Sequence, residues 1–252
     1  MVEYYIFVII MEQKNGEKLN QRKNKKAFWI SIVVMVVCIP ATVVVSYLLG
    51  DRKLYIASVI IMILAMVPFF VSFEGSRPDA RYLAILAVLT AIAVVSRIAF
   101  VWLPAFKPMA GFIILVGMAF GPQAGFMSGA LSMIISNMMF GQGPWTPWQM
   151  FCYGLIGFLA GLLSNARILS EKHAIRTAVI SFVMVVVLSS LILDTSSLFL
   201  MIASINAESA ITVYTSGFFL NLATGLASAL CIFLLCKPLM AILNRLKLKY
   251  GI

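Results

Sequence analysis

Long apolar segments are the feature of this sequence that most restricts its fold. Between short polar interruptions, the chain repeats stretches of about 20 mainly apolar residues, the length that an α-helix needs to cross the hydrocarbon core of a bilayer. Apolar residues make up 62% of the chain and charged residues only 11%, a balance outside the range of soluble domains. The sequence therefore predicts an all-α integral membrane protein without a soluble domain.

The 252 residues accommodate about eight predicted spans. These cover approximately residues 27–49, 54–73, 82–103, 109–120, 123–140, 148–164, 177–193 and 211–236. They divide the chain into a basic N-terminal tail, a two-helix extension, a six-helix core and a basic C-terminal tail, at 1–26, 27–73, 80–236 and 237–252 respectively. The apolar run 4–11 is too short to span a membrane, so Met11 is an alternative start to Met1.

The placement of the basic residues predicts the orientation of the chain. Its formal net charge is +10, from 19 Lys and Arg residues against 9 Asp and Glu residues. Most of the basic residues fall in the two tails and in the loops 74–81 and 165–177. Basic loops stay on the cytoplasmic side, so we expect a multi-pass cell-membrane protein with both termini cytoplasmic. Such loops favour contact with anionic membrane lipid, and we expect no nucleic-acid partner.

A polar break, Ser136–Tyr153, separates two of the predicted core spans. Pro144 and Pro147 lack backbone donors, and Gly141 and Gly143 tolerate positive φ, so this stretch cannot be a plain spanning helix. Non-helical backbone at membrane depth is tolerated only where protein buries it or a water-filled cavity lies beside it. We therefore predict a loop on the outer face that caps a cavity and contacts a ligand.

Eight polar or aromatic residues are the predicted ligand contacts. Indole rings and amides together suit a polar organic molecule, and the residues are Arg97, Lys107, Asn137, Gln142, Trp145, Trp148, Gln149 and Asn221. Structural alternatives remain open for all of them. The tryptophans could belong to an interfacial aromatic belt, the amides could cap helix ends, and Asn221 could bond a neighbouring helix.

Arg97 is the one charge inside an apolar segment apart from those at segment ends. A charge at the bilayer centre costs about 2.5–3.5 kcal/mol on insertion scales. Arg97 is therefore expected to face the pocket, although a long side chain can also snorkel to the interface. Lys107, in the turn between two prolines, could equally be a solvated loop charge.

The sequence contains few of the residue patterns that an enzyme active site requires. It contains no GxxxxGK[ST] phosphate-binding motif, so the chain cannot hydrolyse ATP itself. The single His173 lies in a basic loop without a metal-ligand cluster, and the four cysteines lie in apolar segments. We expect no metal and no cofactor. All nine acidic residues are placed in tails or loops, which argues against proton coupling, because ion-coupled carriers keep ionisable groups within the membrane.

Three stretches resemble the substrate-binding S components of energy-coupling factor (ECF) vitamin transporters. They are SRIAFVWLPAFKP (Ser96 to Pro108), GMAFGPQAGFMSGALS (Gly117 to Ser132) and FGQGPWTPWQM (Phe140 to Met150). The resemblance covers the six-helix core at about 80–236, and the first two predicted helices lie outside the usual six-helix pattern.

The resemblance implies a small binding subunit that captures a vitamin from outside, with cobalamin the first compound to consider. It implies as partners a transmembrane coupling subunit and two ATPases. The family's small-residue docking motif would map onto Ala84, Ala87 and Ala91. The spacing of these alanines alone is also typical of plain helix packing. Two other functions remain alternatives, namely a membrane assembly protein and a small intramembrane enzyme that modifies lipid.

Overall fold

The computed structural model describes residues 53–75, 79–201 and 206–250. Throughout these residues the secondary structure is helical, without strands. The predicted N-terminal tail and the first predicted span, 27–49, lie outside the described residues.

Eight α-helices follow one another along the described chain. They are α1 (Lys53–Gly75), α2 (Ala80–Ala99), α3 (Met109–Phe120), α4 (Pro122–Phe140), α5 (Thr146–Asn165), α6 (Ala174–Ser189), α7 (Thr195–Met201) and α8 (Ala207–Tyr250). A 3-10 turn precedes α6, and a π-helical turn joins α6 to α7; they are Glu171–His173 and Ser190–Asp194.

Four helical segments of the described chain are long and apolar enough to cross a membrane. They are Ala80–Ala99, Thr146–Asn165, Glu171–Leu200 and Ala207–Lys249. The prediction of an all-α membrane protein is thereby confirmed in its general form. The finer count of eight spans stays a prediction, since α3 is a shorter apolar helix of 12 residues and the first predicted span is not described.

Glycine-mediated backbone contact holds the centre of the core, where α3, α4 and α5 meet. A Cβ atom added at Gly117 or at Gly125 would lie 2.2 Å from the carbonyl oxygen of Gly157. One added at Gly129 would lie 2.2 Å from the carbonyl oxygen of Tyr153. Only glycine allows backbones this close, so these glycines are what lets α3, α4 and α5 pack in backbone contact.

The break between α3 and α4 occurs at Gly121 and Pro122. Gly121 has φ 91°, a left-handed conformation that favours glycine. Pro122 then occupies the first turn of α4, where its missing N–H leaves no hydrogen bond unmade. The Gly-Pro pair therefore ends one helix and starts the next, which returns the chain through the membrane region.

One face of α1, which corresponds to the predicted span 54–73, packs against the core. The Phe69 ring stacks on the Phe126 ring of α4 with 3.9 Å between centroids and meets Phe158 of α5 edge-on at 5.1 Å. Met62 and Met66 are also buried. Its exposed face is apolar as well, with Ile63, Leu64 and Val67, so the sequence shows no amphipathic period from which its buried face could be predicted.

The segment after α6 is helical, although it lies between the predicted spans 177–193 and 211–236. The π-helical turn carries the helix past Ser190 and on to Met201, while residues 202–205 are not described. Hydroxyl groups here bond back to the helix: Thr195 Oγ1 donates to the Leu191 carbonyl and Ser196 Oγ to the Leu193 carbonyl. Such internal bonds let a serine- and threonine-rich sequence remain helical.

The last helix, α8, continues from the predicted eighth span to Tyr250. Most of the predicted basic C-terminal tail is therefore helical. Within it, the Lys247 ammonium donates to the Ala119 carbonyl at the end of α3 and lies 5.0 Å from the centre of the Phe120 ring. A cation at a helix C-terminus is favoured by the helix dipole, so this contact fastens α8 to α3.

Candidate ligand-binding site

Arg97 is the starting point of a hydrogen-bond network between α2 and α4. Its Nη1 donates to Ser136 Oγ at 2.5 Å and to Asn137 Oδ1 at 2.8 Å. Its guanidinium carbon also lies 4.7 Å from the centre of the Phe140 ring. Arg97 thus faces the protein interior and not lipid, as its cost in the membrane predicts.

Asn137 extends the network to α5. This side chain is only 1% exposed, and its amide nitrogen donates to Thr146 Oγ1 at 3.1 Å and to Gln149 Oε1 at 2.7 Å. Both its donors and its acceptor are therefore used inside the protein. Three helices meet at this one amide, because its partners come from α2 and from the first turn of α5.

Gln142 holds the connecting loop, residues 141–145, onto α4. Its Nε2 donates to the Ile134 carbonyl at 2.8 Å, and its Oε1 accepts from Thr146 Oγ1 at 2.9 Å. Gly141, with φ 102°, lets the chain leave α4 at this point. We call the residues of the network the Arg97 cluster; they are Arg97, Ser136, Asn137, Gln142, Thr146 and Gln149.

The two tryptophans of the predicted loop occupy different environments. Trp145 is 37% exposed, and its ring folds over Gly143, where a Cβ atom would lie 2.5 Å from it. Trp148 is only 4% exposed and lies against Phe199 of α7, with 6.4 Å between ring centroids. The Trp148 Nε1–H is buried and has no acceptor among the described residues.

Lys107 lies in the turn between α2 and α3, beside the Arg97 cluster. Its ammonium is 5.7 Å from the centre of the Phe140 ring, the ring that Arg97 also contacts. Burial lowers the pKa of Lys107 below its ordinary value, and repulsion from Arg97 lowers it further. Neither cation is paired with a carboxylate in the described part of the chain.

Asn221, the last of the predicted contacts, belongs to a separate polar cluster centred on Asp194. Its amide donates to Asp194 Oδ2 at 2.9 Å, and Ser190 Oγ donates to the same oxygen at 2.8 Å. The other oxygen, Oδ1, lies against Gly217, where a Cβ atom would be only 2.3 Å away. Asn221 therefore joins α8 to the π-helical turn.

Asp194 corrects the expectation that every acidic residue lies in a tail or loop. It is 6% exposed and sits inside the helical segment Glu171–Leu200. The expectation was wrong because the sequence Asp194 to Ser197 consists of residues that are typical of a loop. With one carboxylate inside the membrane region, the distribution of acids no longer argues against ion coupling.

Three functional candidates escaped the sequence analysis: Ser136, Thr146 and Asp194. Ser136 and Thr146 lie next to predicted residues, but nothing in a serine or threonine distinguishes a network member from a helix-bonding hydroxyl. For Asp194 a signal existed, because Ser190 and Asp194 are four residues apart and therefore share a helical face. Within the described residues, no group of three or more His, Cys, Asp and Glu side chains could hold a metal ion.

Two cavities that described residues line lie away from the predicted loop. One cavity of about 600 Å³ lies at the opposite end of α5, and an apolar groove of about 430 Å³ follows α6. Neither borders residues 141–145. The polar groups of the Arg97 cluster bond one another, so a ligand that binds there has to replace some of these bonds.

Comparison with known proteins identifies the family. The family model described as "ECF-type riboflavin transporter, S component" matches residues 79–241, which is more than half of the 252-residue chain. Neither the curated proteins nor the solved structures gave a match. The matched region contains α2 to α7 and most of α8, and hence both polar clusters. The chain belongs to the S component family of ECF-type riboflavin transporters, membrane-embedded transport subunits that are not enzymes.

Proposed function

We propose that this chain is the vitamin-binding subunit of an ECF importer, and that its ligand is riboflavin or a close relative. The family description names riboflavin, which therefore replaces cobalamin as the first compound to test. The ligand binds between the Arg97 cluster and Trp148. The positions of the basic residues predict that both termini are cytoplasmic. This end of the helices would then face outside, where an importer captures its ligand.

The observation that carries this proposal is the buried Nε1–H of Trp148. A buried donor without an acceptor costs about 1–3 kcal/mol, and membrane proteins have no water in the bilayer core to satisfy it. Trp148 lies in the first turn of α5, the helix that also carries Thr146 and Gln149 of the Arg97 cluster. A ligand carbonyl or ring nitrogen that accepts from Trp148 would remove the cost.

The chemistry of the surrounding groups suits a flavin. Trp148 and Phe199 are stacked at 30°, and planar aromatic surfaces of this kind favour a planar heteroaromatic ring. Riboflavin also carries a chain of hydroxyl groups, for which the amides of Gln142 and Gln149 offer donors and acceptors. Further donors are available at Arg97, because only its Nη1 has hydrogen-bond partners among the described residues.

The alanine face of α2 is the proposed docking surface for the coupling subunit. Ala84, Ala87 and Ala91 are all exposed, while the opposite face of the helix is buried through Leu86, Leu89 and other residues. Small side chains let another helix approach closely. The coupling subunit binds this face, and the two ATPases supply the energy that this chain cannot obtain from ATP.

Titration of the purified protein with riboflavin tests the proposal. Flavin fluorescence would be quenched on stacking, and the endpoint would give about one flavin per chain. Trp148→Phe keeps an aromatic face and removes the Nε1–H, so its affinity should fall by up to about tenfold. Trp102→Phe is the matched control, since Trp102 is 90% exposed, and it should bind as the wild type does.

Cobalamin titrated in parallel separates the two vitamins. Binding of cobalamin and not of riboflavin would overturn the proposed ligand while leaving the binding role intact. Equal affinity of the Trp148→Phe and Trp102→Phe variants would remove Trp148 from the site. A folded protein that binds neither vitamin would favour the alternative role as an assembly protein.

A further inference from the structure

The end of the helices opposite the tryptophan loop contains a polar cavity. Its volume is about 600 Å³, and its wall includes Arg167, Lys172, His173 and Arg176. The cavity lies between the end of α5 and the start of α6. These are also ends of two candidate membrane spans, so its level is that of the lipid head groups.

Positive charge dominates this cavity. Arg167, Lys172 and Arg176 are exposed cations, and Glu171 is the acid that lines the cavity with them. Glu171 already accepts a hydrogen bond from the Asn244 amide at 3.4 Å. The formal charge on the cavity wall is therefore positive, which favours an anionic group such as a phosphate.

The backbone at Arg167, in the wall of the cavity, has an uncommon conformation. Its φ is 60°, a left-handed conformation that is uncommon for a residue other than glycine. The Arg167 carbonyl accepts a hydrogen bond from Arg176 Nη2 at 3.2 Å. This bond holds the Arg176 guanidinium beside the Arg167 backbone, and among the described residues neither guanidinium group makes another hydrogen bond.

An apolar groove lies further along α6. It is lined by Val179, Ile180, Val183, Met184 and Val187 of α6, together with Leu159 and Leu188. Arg176, Ile180, Val183 and Val187 follow each other at spacings of three and four, so they form one stripe. From Arg176 to Val187 the stripe rises by about 16 Å, close to half the thickness of a bilayer core.

We propose that the cavity and the groove together bind one anionic phospholipid. Its phosphate lies among Arg167, Lys172 and Arg176, and an acyl chain follows the stripe from Ile180 to Val187 toward the bilayer centre. The groove is the reason to assign a lipid and not a free phosphate compound, since a soluble anion would leave these valines uncovered. The site is separate from the vitamin site and does not depend on the identity of the vitamin.

Lipid retention measured by native mass spectrometry tests this site. The full chain is purified in a neutral detergent and mixed with equal amounts of phosphatidylglycerol and phosphatidylcholine. We expect one retained phosphatidylglycerol in preference to phosphatidylcholine. Arg176→Gln should weaken this retention by about fivefold, and Arg167→Gln with Arg176→Gln by about 25-fold, because each cation near a membrane surface contributes a factor of about five.

Arg245→Gln is the matched control. Arg245 is an exposed cation of α8 that does not line the cavity, and its replacement should leave retention unchanged. An equal effect of Arg245→Gln, or equal retention of the two lipids, would overturn the proposal. Glycerol 3-phosphate is a further probe, and displacement of the lipid by equimolar glycerol 3-phosphate would show a free-phosphate site and would also overturn it. The size-exclusion profile of each variant should match that of the wild type, which shows that a loss of lipid binding is not caused by unfolding.

Discussion

Arg97 donates a 2.8 Å hydrogen bond to the side-chain oxygen of Asn137, 40 residues further along the chain. The bond joins α2 to α4, and Asn137 passes the connection on to Gln149 of α5. One intramembrane cation therefore orders the end of three helices at which the predicted binding loop lies. Both its structural and its ligand-binding roles can be tested on this residue.

Replacing Arg97 by Ala should destabilise the protein and weaken riboflavin binding. The change removes two charge-assisted hydrogen bonds and leaves the buried Asn137 oxygen without its donor, at a cost of about 2–3 kcal/mol. Thermal unfolding in detergent measures the first effect, and flavin titration of the folded fraction measures the second. Arg245→Ala, at an exposed cation of α8, is the control, and equal behaviour of the two variants would contradict the role of Arg97.

Gly125→Ala should prevent stable packing of α4 on α5. The added methyl group would lie 2.2 Å from the Gly157 carbonyl oxygen, and backbone on both sides leaves no flexible side chain to move. Overpacking of a core costs about 1–3 kcal/mol or more. The yield of monodisperse protein and its unfolding temperature should both fall.

Gly225→Ala provides the comparison for this effect. A methyl group there would meet side chains, with Val186 Cγ2 nearest at 2.7 Å, and side chains can change rotamer. The unfolding temperature should therefore fall less for Gly225→Ala than for Gly125→Ala. The reverse order would mean that backbone approach at the glycines does not limit the packing of this core.

The glycines also show why part of the fold could be predicted from sequence. Gly117, Gly125 and Gly157 report close backbone contact through their type and spacing alone, because no other residue fits there. Gly121 with Pro122 likewise specifies a break from local chemistry. Features set by one or two residues in this way are visible before any partner is known.

Features that depend on a distant partner could not be predicted in the same way. The Asp194 carboxylate accepts hydrogen bonds from Asn221 of α8 and from Ser190. Asn221 is 27 residues away in the sequence, so the residues next to Asp194 do not indicate this partner. The loop residues behave similarly. The sequence predicts ligand contacts at Asn137, Gln142 and Gln149. Their hydrogen bonds within the Arg97 cluster depend on the tertiary packing of three helices and could not be predicted.

Bulky residues on the alanine face should separate transport from binding. Ala87→Leu and Ala91→Leu place larger side chains on an exposed surface, so folding and vitamin binding should persist. Close approach of the coupling subunit would be blocked, and uptake by cells that carry the complete transporter should fall strongly. Ala241→Leu serves as the control because Ala241 is exposed on a different helix, α8. Normal uptake by the alanine variants would place the coupling subunit elsewhere.

The protonation of Lys107 should make the stability of the protein depend on pH in the alkaline range. Its folded-state pKa lies below the ordinary 10.5, through burial first and Arg97 second. The unfolded chain therefore binds this proton more tightly, and the resulting penalty on folding is full at neutral pH and disappears as pH rises through 10.5. Lys107→Gln should thus be more stable than the wild type at neutral pH.

The advantage of Lys107→Gln should shrink as the medium becomes alkaline. Thermal unfolding of the two proteins, compared from about pH 7 to about pH 11, measures this difference directly. Lys172→Gln is the control, since Lys172 is exposed at the far end of α5. A difference between Lys107→Gln and the wild type that stays constant with pH would show that the Lys107 charge carries no folding penalty.

Mass spectrometry of the solute released from the purified, unsupplemented protein tests the central claim most directly. If the chain binds a vitamin without altering it, denaturation should release an intact flavin in an amount approaching one per chain. The same sample in the Trp148→Phe variant should release less. Protein that is folded and monodisperse, yet releases no small molecule and takes up none when riboflavin is supplied, would contradict the account.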